Sequence, residues 1–176
     1  GQRFDLSELP MHGHHNLNNA LMAMYASFLH GVDPQKSFLA LKNSNGVKRR
    51  FETIFQNNNK IVIDDFAHHP TAISTTVEAA INHFASKKVI GIVELASNTM
   101  SRGHHGAELY DSAAGLEQVY WLNLSSKKNQ DFEYDSINLL LEDLKKDIDS
   151  IDVILIMSNK DSKKISEPII DLIKSK

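Results

Sequence analysis

Cysteine is absent from the 176 residues, which excludes a disulfide scaffold and a cysteine zinc site and fits a reducing compartment. No apolar run reaches the roughly 20 residues that a membrane-spanning helix needs, and the first residues lack the pattern of a secretory signal. An excess of positive charge is also lacking: 19 Lys and Arg against 22 Asp and Glu give a formal net charge of −3, which argues against a nucleic-acid binder that relies on bulk electrostatics. These absences favour a cytoplasmic globular protein.

The first part of the chain has a helical pattern. Residues 16–30 are rich in Ala, Leu and Met without a breaker, and they predict a helix that ends at Gly31. A second helix is predicted from about 35 to 43, after Pro34. We place a boundary after Gly46, between a helical unit at 1–46 and a second unit at 47–176.

In the second unit, predicted strands and helices alternate. The strands are expected at 51–55, 60–64, 89–93, 119–122 and 153–157, and the helices at 71–84, 107–115, 137–148 and 162–174. Continuous apolar runs such as VILIM at 153–157 are typical of buried parallel strands. The alternation predicts an α/β fold with a doubly wound, mostly parallel, Rossmann-like sheet, in which ligands bind at the carboxyl ends of the strands.

One such strand end carries the sequence DDFAHHPT at residues 64–71. Asp65 could accept hydrogen bonds from a ribose hydroxyl or from a water on a metal. His68 and His69 precede a helix start, where free N–H groups favour a phosphate or a carboxylate. The alternative is structural: Asp65 caps the helix, and Pro70 only shapes the turn.

A second polar cluster, GHHNLNNA at residues 13–20, includes His15, Asn16 and Asn19 within about one helical turn. Asparagine can both donate to and accept from an adenine edge, so this cluster could bind a nucleotide base. Alternatively, Asn16 is an ordinary helix N-cap.

The basic stretch KRRFE at 48–52 could neutralise phosphates or could be a solvated linker. The polar segment at 94–105 follows a central strand, and its Arg102 and His104 could hold a carboxylate, unless the segment is only a surface loop. The nine histidines do not form an H-E-x-x-H frame, and tandem pairs rarely bind one ion, so no metal site is predicted.

Taken together, residues 13–20, 46–52 and 64–71 resemble, in order and spacing, three motifs of the Mur ligase family. These ATP-dependent enzymes join a carboxylate to an amine in peptidoglycan assembly. The DDxAHHPT form is similar to the branch that uses UDP-N-acetylmuramate. The segment VELASNTM at 93–100 is similar to the murein peptide ligases, which attach the recycled tripeptide L-alanyl-γ-D-glutamyl-meso-diaminopimelate in peptidoglycan recycling.

The resemblance covers essentially the whole chain but only part of the family's three domains. It implies that 1–46 ends the central ATP-binding domain and that 47–176 is the carboxy-terminal Rossmann-like domain. The family's G-K-[ST] phosphate loop does not occur, and the uridine-nucleotide domain is absent. The fragment is therefore expected to be inactive alone, with ATP and Mg²⁺ as cofactors of the parent and the Mg²⁺ ligands in the missing domain.

The resemblance also implies roles for the residues around the nucleotide. His15, Asn16 and Asn19 match the motif near the adenine. Arg50 matches the hinge arginine that reaches the ATP phosphates. Asp65 matches the acid that contacts the ribose or phosphate region when the last domain closes.

At the reacting centre, His68 matches the histidine beside that acid, and the loop at 96–102 matches the region that receives the amino component. The candidate substrate-binding residues are His69, Asn98, Thr99 and Arg102. Related ligases have basic residues near position 96, where this chain has Ala96 and Ser97, so Arg102 is the substitute candidate for the peptide carboxylate.

Two other functions remain open at this point. One is the L-alanine-adding ligase of the same family, which the SNTM loop disfavours. The other is a non-catalytic nucleotide- or peptide-binding module of flavodoxin-like shape, which the absent phosphate loop favours.

Overall fold

A computed structural model describes residues 2–95, 106–123 and 132–176. Within these ranges the helices are α1 (His14–Leu29), α2 (Pro34–Lys42), α3 (Pro70–His83), α4 (Gly106–Asp111), α5 (Ile137–Asp147) and α6 (Lys163–Lys174). The strands are β1 (Glu52–Gln56), β2 (Ile61–Asp65), β3 (Val89–Glu94), β4 (Gln118–Leu122), β5 (Glu133–Tyr134) and β6 (Val153–Met157). Short 3₁₀ turns lie at Leu6–Glu8 and Ile148–Ser150.

The strands form one sheet in the order β1-β2-β6-β3-β4-β5. β1 pairs antiparallel with β2, and the other neighbours are parallel. This mostly parallel sheet, with helices on both faces, confirms the predicted fold class. β6 lies between β2 and β3, so the carboxyl ends of these three strands meet at one edge of the sheet.

β6 illustrates how the sequence produces two cores. All five of its residues are buried, and successive side chains point to opposite faces of the sheet. Ile154 and Ile156 pack with Leu140 of α5 and Ile165 of α6. Val153, Leu155 and Met157 pack on the other face, where α3 and α4 lie. A strand covered on both faces needs the continuous apolar run that the sequence contains.

The helix expected at 107–115 was too long. α4 ends at Asp111, and the chain continues in turns in which Ala113 N–H donates to Tyr110 O at 3.2 Å and Ala114 N–H to Asp111 O at 3.1 Å. Bonds to the third residue back close tighter turns than the α-helix, and Gly115 does not favour helix extension. β5 was missed because two residues are too few to show alternation.

The helical unit has a small core of its own, formed by Leu9, Ala20, Met24 and Phe38. The outer face of α1 is apolar but uncovered, and its exposed side chains are Leu21, Met22, Tyr25, Phe28 and Leu29. α1 starts two residues earlier than expected and ends before Gly31, whose φ of +82° suits glycine. None of the described helices is long and apolar enough to cross a membrane.

Candidate functional site

The carboxyl edge of the central strands gathers several polar groups. Asp65 ends β2, Glu94 ends β3, and Ser158 follows β6. The Ser158 N–H donates to Asp65 O at 3.1 Å, and the Ser158 hydroxyl donates to the Glu94 carboxylate. The sheet therefore brings the 64–71 turn to the edge where ligands bind in folds of this kind.

Asp65 is almost fully buried and accepts three hydrogen bonds. Its donors are Phe51 N–H at 2.7 Å, Ala67 N–H at 2.8 Å and the Thr76 hydroxyl at 3.2 Å. One carboxylate thus connects three segments: the linker that precedes β1, the 64–71 turn and α3. It does not cap α3, whose N-cap residue is His69. Its contact with a nucleotide stays a prediction.

His68 is half-buried, and its ring is oriented by its own turn. Nδ1 lies 2.9 Å from Phe66 O. A carbonyl oxygen can only accept, so Nδ1 carries the hydrogen and Nε2 of the neutral ring is left as an acceptor. The neighbouring His69 is exposed, with extended backbone at φ −115°.

The linker before β1 is held against the same edge. Arg49 and Phe51 both have φ of +57°, a left-handed conformation that is uncommon outside glycine. Arg49 Nη2 donates to Ser158 O at 2.6 Å, and its Nε lies 3.4 Å from Asp64 Oδ2. In return, Phe66 N–H donates to Arg49 O at 2.9 Å. The linker conformation is therefore fixed by contacts with the 64–66 segment and Ser158.

Asp64 is the buried partner of this arginine. Burial raises the pKa of its carboxyl above the ordinary value, against the opposing effects of the Ser162 hydroxyl at 2.6 Å and of Arg49. Its Oδ1 is buried and has no hydrogen-bond partner among the described residues. Sequence reasoning missed Asp64, Ser158 and Ser162, although the polar residues that follow the VILIM strand were a signal for this edge.

A cavity of about 180 Å³ lies between the helical unit and the linker. Its lining residues are Met11, Asn16, Asn19, Ala20, Ala23, Leu41, Val47 and Arg50. Asn16 is not the helix N-cap, which is Gly13; instead its Nδ2 donates to His12 O at 2.9 Å. Asn16, Asn19 and Arg50, which the sequence placed around a nucleotide, thus share one cavity with mostly apolar walls.

His15 lies close to both other motifs. Burial lowers the pKa of its ring, the Asp65 carboxylate opposes that shift, and the Arg50 guanidinium adds to it. Within the part of the chain that the structure describes, its buried Nδ1 has no hydrogen-bond partner. The three polar motifs at 13–20, 48–52 and 64–71 lie together in the structure, because Asn16, Asn19 and Arg50 line one cavity and Phe51 N–H donates to Asp65 at 2.7 Å.

Three of the candidate substrate-binding residues fall in a segment that the structure does not describe. Asn98, Thr99 and Arg102, with the rest of the 96–102 loop, lie outside the described residues. In the described ranges, no group of three or more His, Asp or Glu side chains is suited to a metal ion.

Comparisons with known proteins identify the family of the chain. Residues 49–160 match the glutamate ligase domain of the Mur ligases. A UDP-N-acetylmuramate–L-alanine ligase of Streptococcus pyogenes is 36% identical over 137 residues, which are 77% of this chain and 30% of that protein. The chain thus spans about a third of the length of the curated relatives that it matches.

Solved structures give the same picture. A murein peptide ligase from Psychrobacter arcticus superposes with a TM-score of 0.69 at 31% identity, over 94% of this chain and 38% of that chain. A domain from a putative UDP-N-acetylmuramate:L-alanyl-γ-D-glutamyl-meso-diaminopimelate ligase of Haemophilus ducreyi gives 0.55 at 26% identity, over 69% of this chain and 98% of that one. The second structure is thus matched over almost its whole length by about two thirds of this chain.

Proposed function

The chain belongs to the Mur ligase family, and from that premise we propose that it is the carboxy-terminal part of an ATP-dependent ligase. The parent joins the carboxylate of UDP-N-acetylmuramate to an amine of a peptide or amino acid. The observation that carries this proposal is the meeting of three separate motifs: Asn16, Asn19 and Arg50 line one cavity, and the Arg50 guanidinium carbon lies 5.7 Å from the centroid of the Phe66 ring in the 64–71 turn. Such convergence is what a site between two domains requires.

We propose that 1–46 is the end of the central ATP-binding domain and 47–176 the carboxy-terminal domain. Two observations support this division: the family match begins at residue 49, and the helical unit has a separate small core. The missing part of the central domain is the partner that covers the apolar outer face of α1. Without a G-K-[ST] loop, the isolated chain is expected to be inactive.

The nucleotide is proposed to bind at the 180 Å³ cavity. The apolar walls suit a flat base, the amides of Asn16 and Asn19 can donate and accept at its edge, and Arg50 is the cation for the phosphates. Mg²⁺ would supply further charge stabilisation of the phosphates, with its ligands in the domain that is not part of this chain.

The chemistry implied by the family has two steps. Transfer of the γ-phosphate activates the muramoyl carboxylate as an acyl phosphate, and the amine then attacks the carbonyl carbon with release of phosphate. The attacking nitrogen must lose a proton. His68 can accept it at Nε2, because the bond from Nδ1 to Phe66 O leaves that nitrogen with a lone pair.

The amino component that we propose is the tripeptide, on the basis of the SNTM loop and of the similarity to a murein peptide ligase structure. L-alanine is the second candidate, because the curated relative at 36% identity is an L-alanine ligase. Both share the same carboxylate substrate and the same chemistry.

The test is ATP-dependent phosphate release by the full-length parent, given UDP-N-acetylmuramate with either the tripeptide or L-alanine. Release with the tripeptide alone supports the recycling ligase. Release with L-alanine alone would move the protein to the biosynthetic branch. ATP binding without release in either mixture would contradict a ligase and favour a non-catalytic module.

A variant connects this assay to the site. His68→Gln in the parent is expected to lower kcat by roughly 100-fold or more, the usual contribution of a general base, with little change in the affinity for ATP. His30→Gln, at the exposed end of α1, is the matched control. Equal rates for His68→Gln and the control would exclude a role of His68 in proton transfer.

A further inference from the structure

Phe66 lies in contact with three functional side chains. Its ring centroid is 5.1 Å from the guanidinium carbon of Arg49 and 5.7 Å from that of Arg50. The ring also meets the His68 ring edge-on, with centroids 5.2 Å apart. The electron-rich face of an aromatic ring attracts cations. One ring therefore connects the basic linker with the histidine of the 64–71 turn.

The two arginines use this ring differently. Arg49 is half-buried, and its side chain donates to Ser158 O and lies beside the Asp64 carboxylate. The backbone N–H of Arg49 donates to Glu52 Oε2 at 2.8 Å. Arg50 is exposed. Across the described ranges its guanidinium makes no hydrogen bond or ion pair, so the Phe66 ring is its contact and its donors are available.

The guanidinium charges of Arg49 and Arg50 are neutralised to different extents. The charge of Arg49 is offset by Asp64, whereas Arg50 lines the cavity together with Asn16 and Asn19. A flexible arginine loses rotamer freedom when it binds an anion, and a side chain that already rests on an aromatic face loses less. Its planar fork of N–H groups stays available for phosphate oxygens.

We propose that Phe66 is a positioning residue, which holds the Arg50 guanidinium ready for the phosphates of the nucleotide. The inference deepens the proposed function and rests on it. Phe66 is the third residue of the DDFAHHPT turn, and its apolar side chain alone does not suggest this role. Phe66 acts through Arg50, so its effect must depend on the arginine.

The experiment is a double-mutant cycle in the full-length parent, with Phe66→Leu, Arg50→Ala and the double variant. Phe66→Leu is expected to weaken ATP binding by calorimetry, and to lower kcat/KM for ATP, by roughly threefold to tenfold, the range of a partly exposed cation–π contact. KM for the amino component should not change. In the Arg50→Ala background, Phe66→Leu should cause no further loss.

Two further variants separate positioning from packing. Phe66→Tyr keeps the ring and is expected to bind ATP like the wild type. Phe55→Leu is the matched control, because Phe55 is also half-buried and has a cation over its ring, Lys174 Nζ at 5.9 Å, on a different part of the sheet. It should leave ATP affinity unchanged. Thermal unfolding of each variant shows that it is folded.

Additive losses in the cycle, or a Tyr variant as weak as the Leu variant, would overturn the inference. Coupled losses in ATP binding without product formation would support the inference and contradict the proposed ligase. Product formation with additive losses would support the proposed ligase and contradict the inference about Phe66. A folded parent that binds no ATP would contradict both.

Discussion

At the residue scale, the Asp65 carboxylate connects three segments at the carboxyl edge of the sheet, because its three donors come from the linker before β1, the 64–71 turn and α3. Asp65→Ala leaves all three without an acceptor. At about 1–3 kcal/mol for each buried group left unpaired, we expect the free energy of unfolding to fall by at least about 3 kcal/mol.

Urea unfolding of the chain checks this expectation. The matched control is Asp152→Ala, which removes one acceptor, for Lys88 N–H at 2.7 Å, from a half-buried position near the opposite end of the sheet. It should cost about 1 kcal/mol. Similar losses for the two variants would mean that Asp65 does not hold the three segments together.

The histidines of the helical unit give stability a predictable pH dependence. Burial lowers the pKa of both His12 and His15, and His83 adds to the shift at His12. With folded values below the ordinary value near 6.5, the unfolded chain binds more protons as the pH falls through that value. The folded state is therefore destabilised on acidification, from just above pH 6.5 down to the folded values.

Thermal unfolding between pH 5 and pH 8 measures this dependence. The double variant His12→Gln/His15→Gln should lose less stability than the wild type over that interval. At pH 8 both proteins carry neutral side chains at these positions, so the dependence of each on pH should be small there. If the thermal unfolding midpoint of the wild type rises on acidification, the predicted direction of the pH dependence is wrong.

At the element scale, two glycines test how tightly the layers pack. A Cβ at Gly91 of β3 would lie 2.7 Å from Leu116 Cδ1, and one at Gly115 would lie 2.6 Å from Ile81 Cδ1. Leu116 is buried, whereas Ile81 is 37% exposed and can rotate into solvent. Gly91→Ala is therefore expected to cost about 1–3 kcal/mol, and Gly115→Ala less than 1 kcal/mol.

Chemical unfolding of the two variants gives the comparison. Leu116→Ala should rescue part of the Gly91→Ala loss, so that the double variant is more stable than the sum of the two single losses predicts. Equal costs at the two glycines would show that the helix layer adjusts at both places.

The elements themselves were largely predictable from the sequence. The bounds of β1, β2, β3 and β6 were predicted to within one residue. The signals were the continuous apolar runs of β3 and β6 and, for β1 and β2, the three asparagines at 57–59 between them. Helix α4 was overextended, because apolar periodicity does not distinguish an α-helix from consecutive tight turns. β5 depends on pairing with β4, which a two-residue segment does not reveal.

The site was less predictable than the fold. The motifs at 13–20, 48–52 and 64–71 were recognised, but the partners of Arg49 were not. Ser158 is 109 positions away along the chain, and the contact exists only because β6 lies beside β2. Residues whose importance comes from such distant backbone contacts have no local pattern.

At the scale of the whole molecule, the outer face of α1 is a group of apolar side chains that the described structure leaves exposed to solvent. Met22 is 65% exposed, Phe28 53% and Leu29 65%. Exposed apolar side chains that adjoin one another mark a surface that another protein segment covers. The proposed missing part of the central domain is that segment, and without it the isolated chain is expected to self-associate.

Sedimentation velocity over a range of concentrations measures the association. Met22→Lys/Phe28→Lys should make the isolated chain monomeric, and the same pair should destabilise the full-length parent. Leu139→Lys, an exposed apolar position on α5, should change neither. An unmodified chain that stays monomeric at high concentration, or a parent that tolerates the pair, would contradict the assignment of this face.

The anchoring of the linker also has a mechanical consequence. From Arg49 onward, the backbone is hydrogen-bonded to Asp65 and Phe66, which attaches this segment to the end of β2. The axis of any rotation of the helical unit then passes upstream of Arg49, near Gly46, whose φ is +73°. Arg50 is close to that axis and keeps its place, while the far end of α1 is a long lever arm. A small torsion at Gly46 is therefore expected to change the width of the 180 Å³ cavity while Arg50 stays beside Phe66.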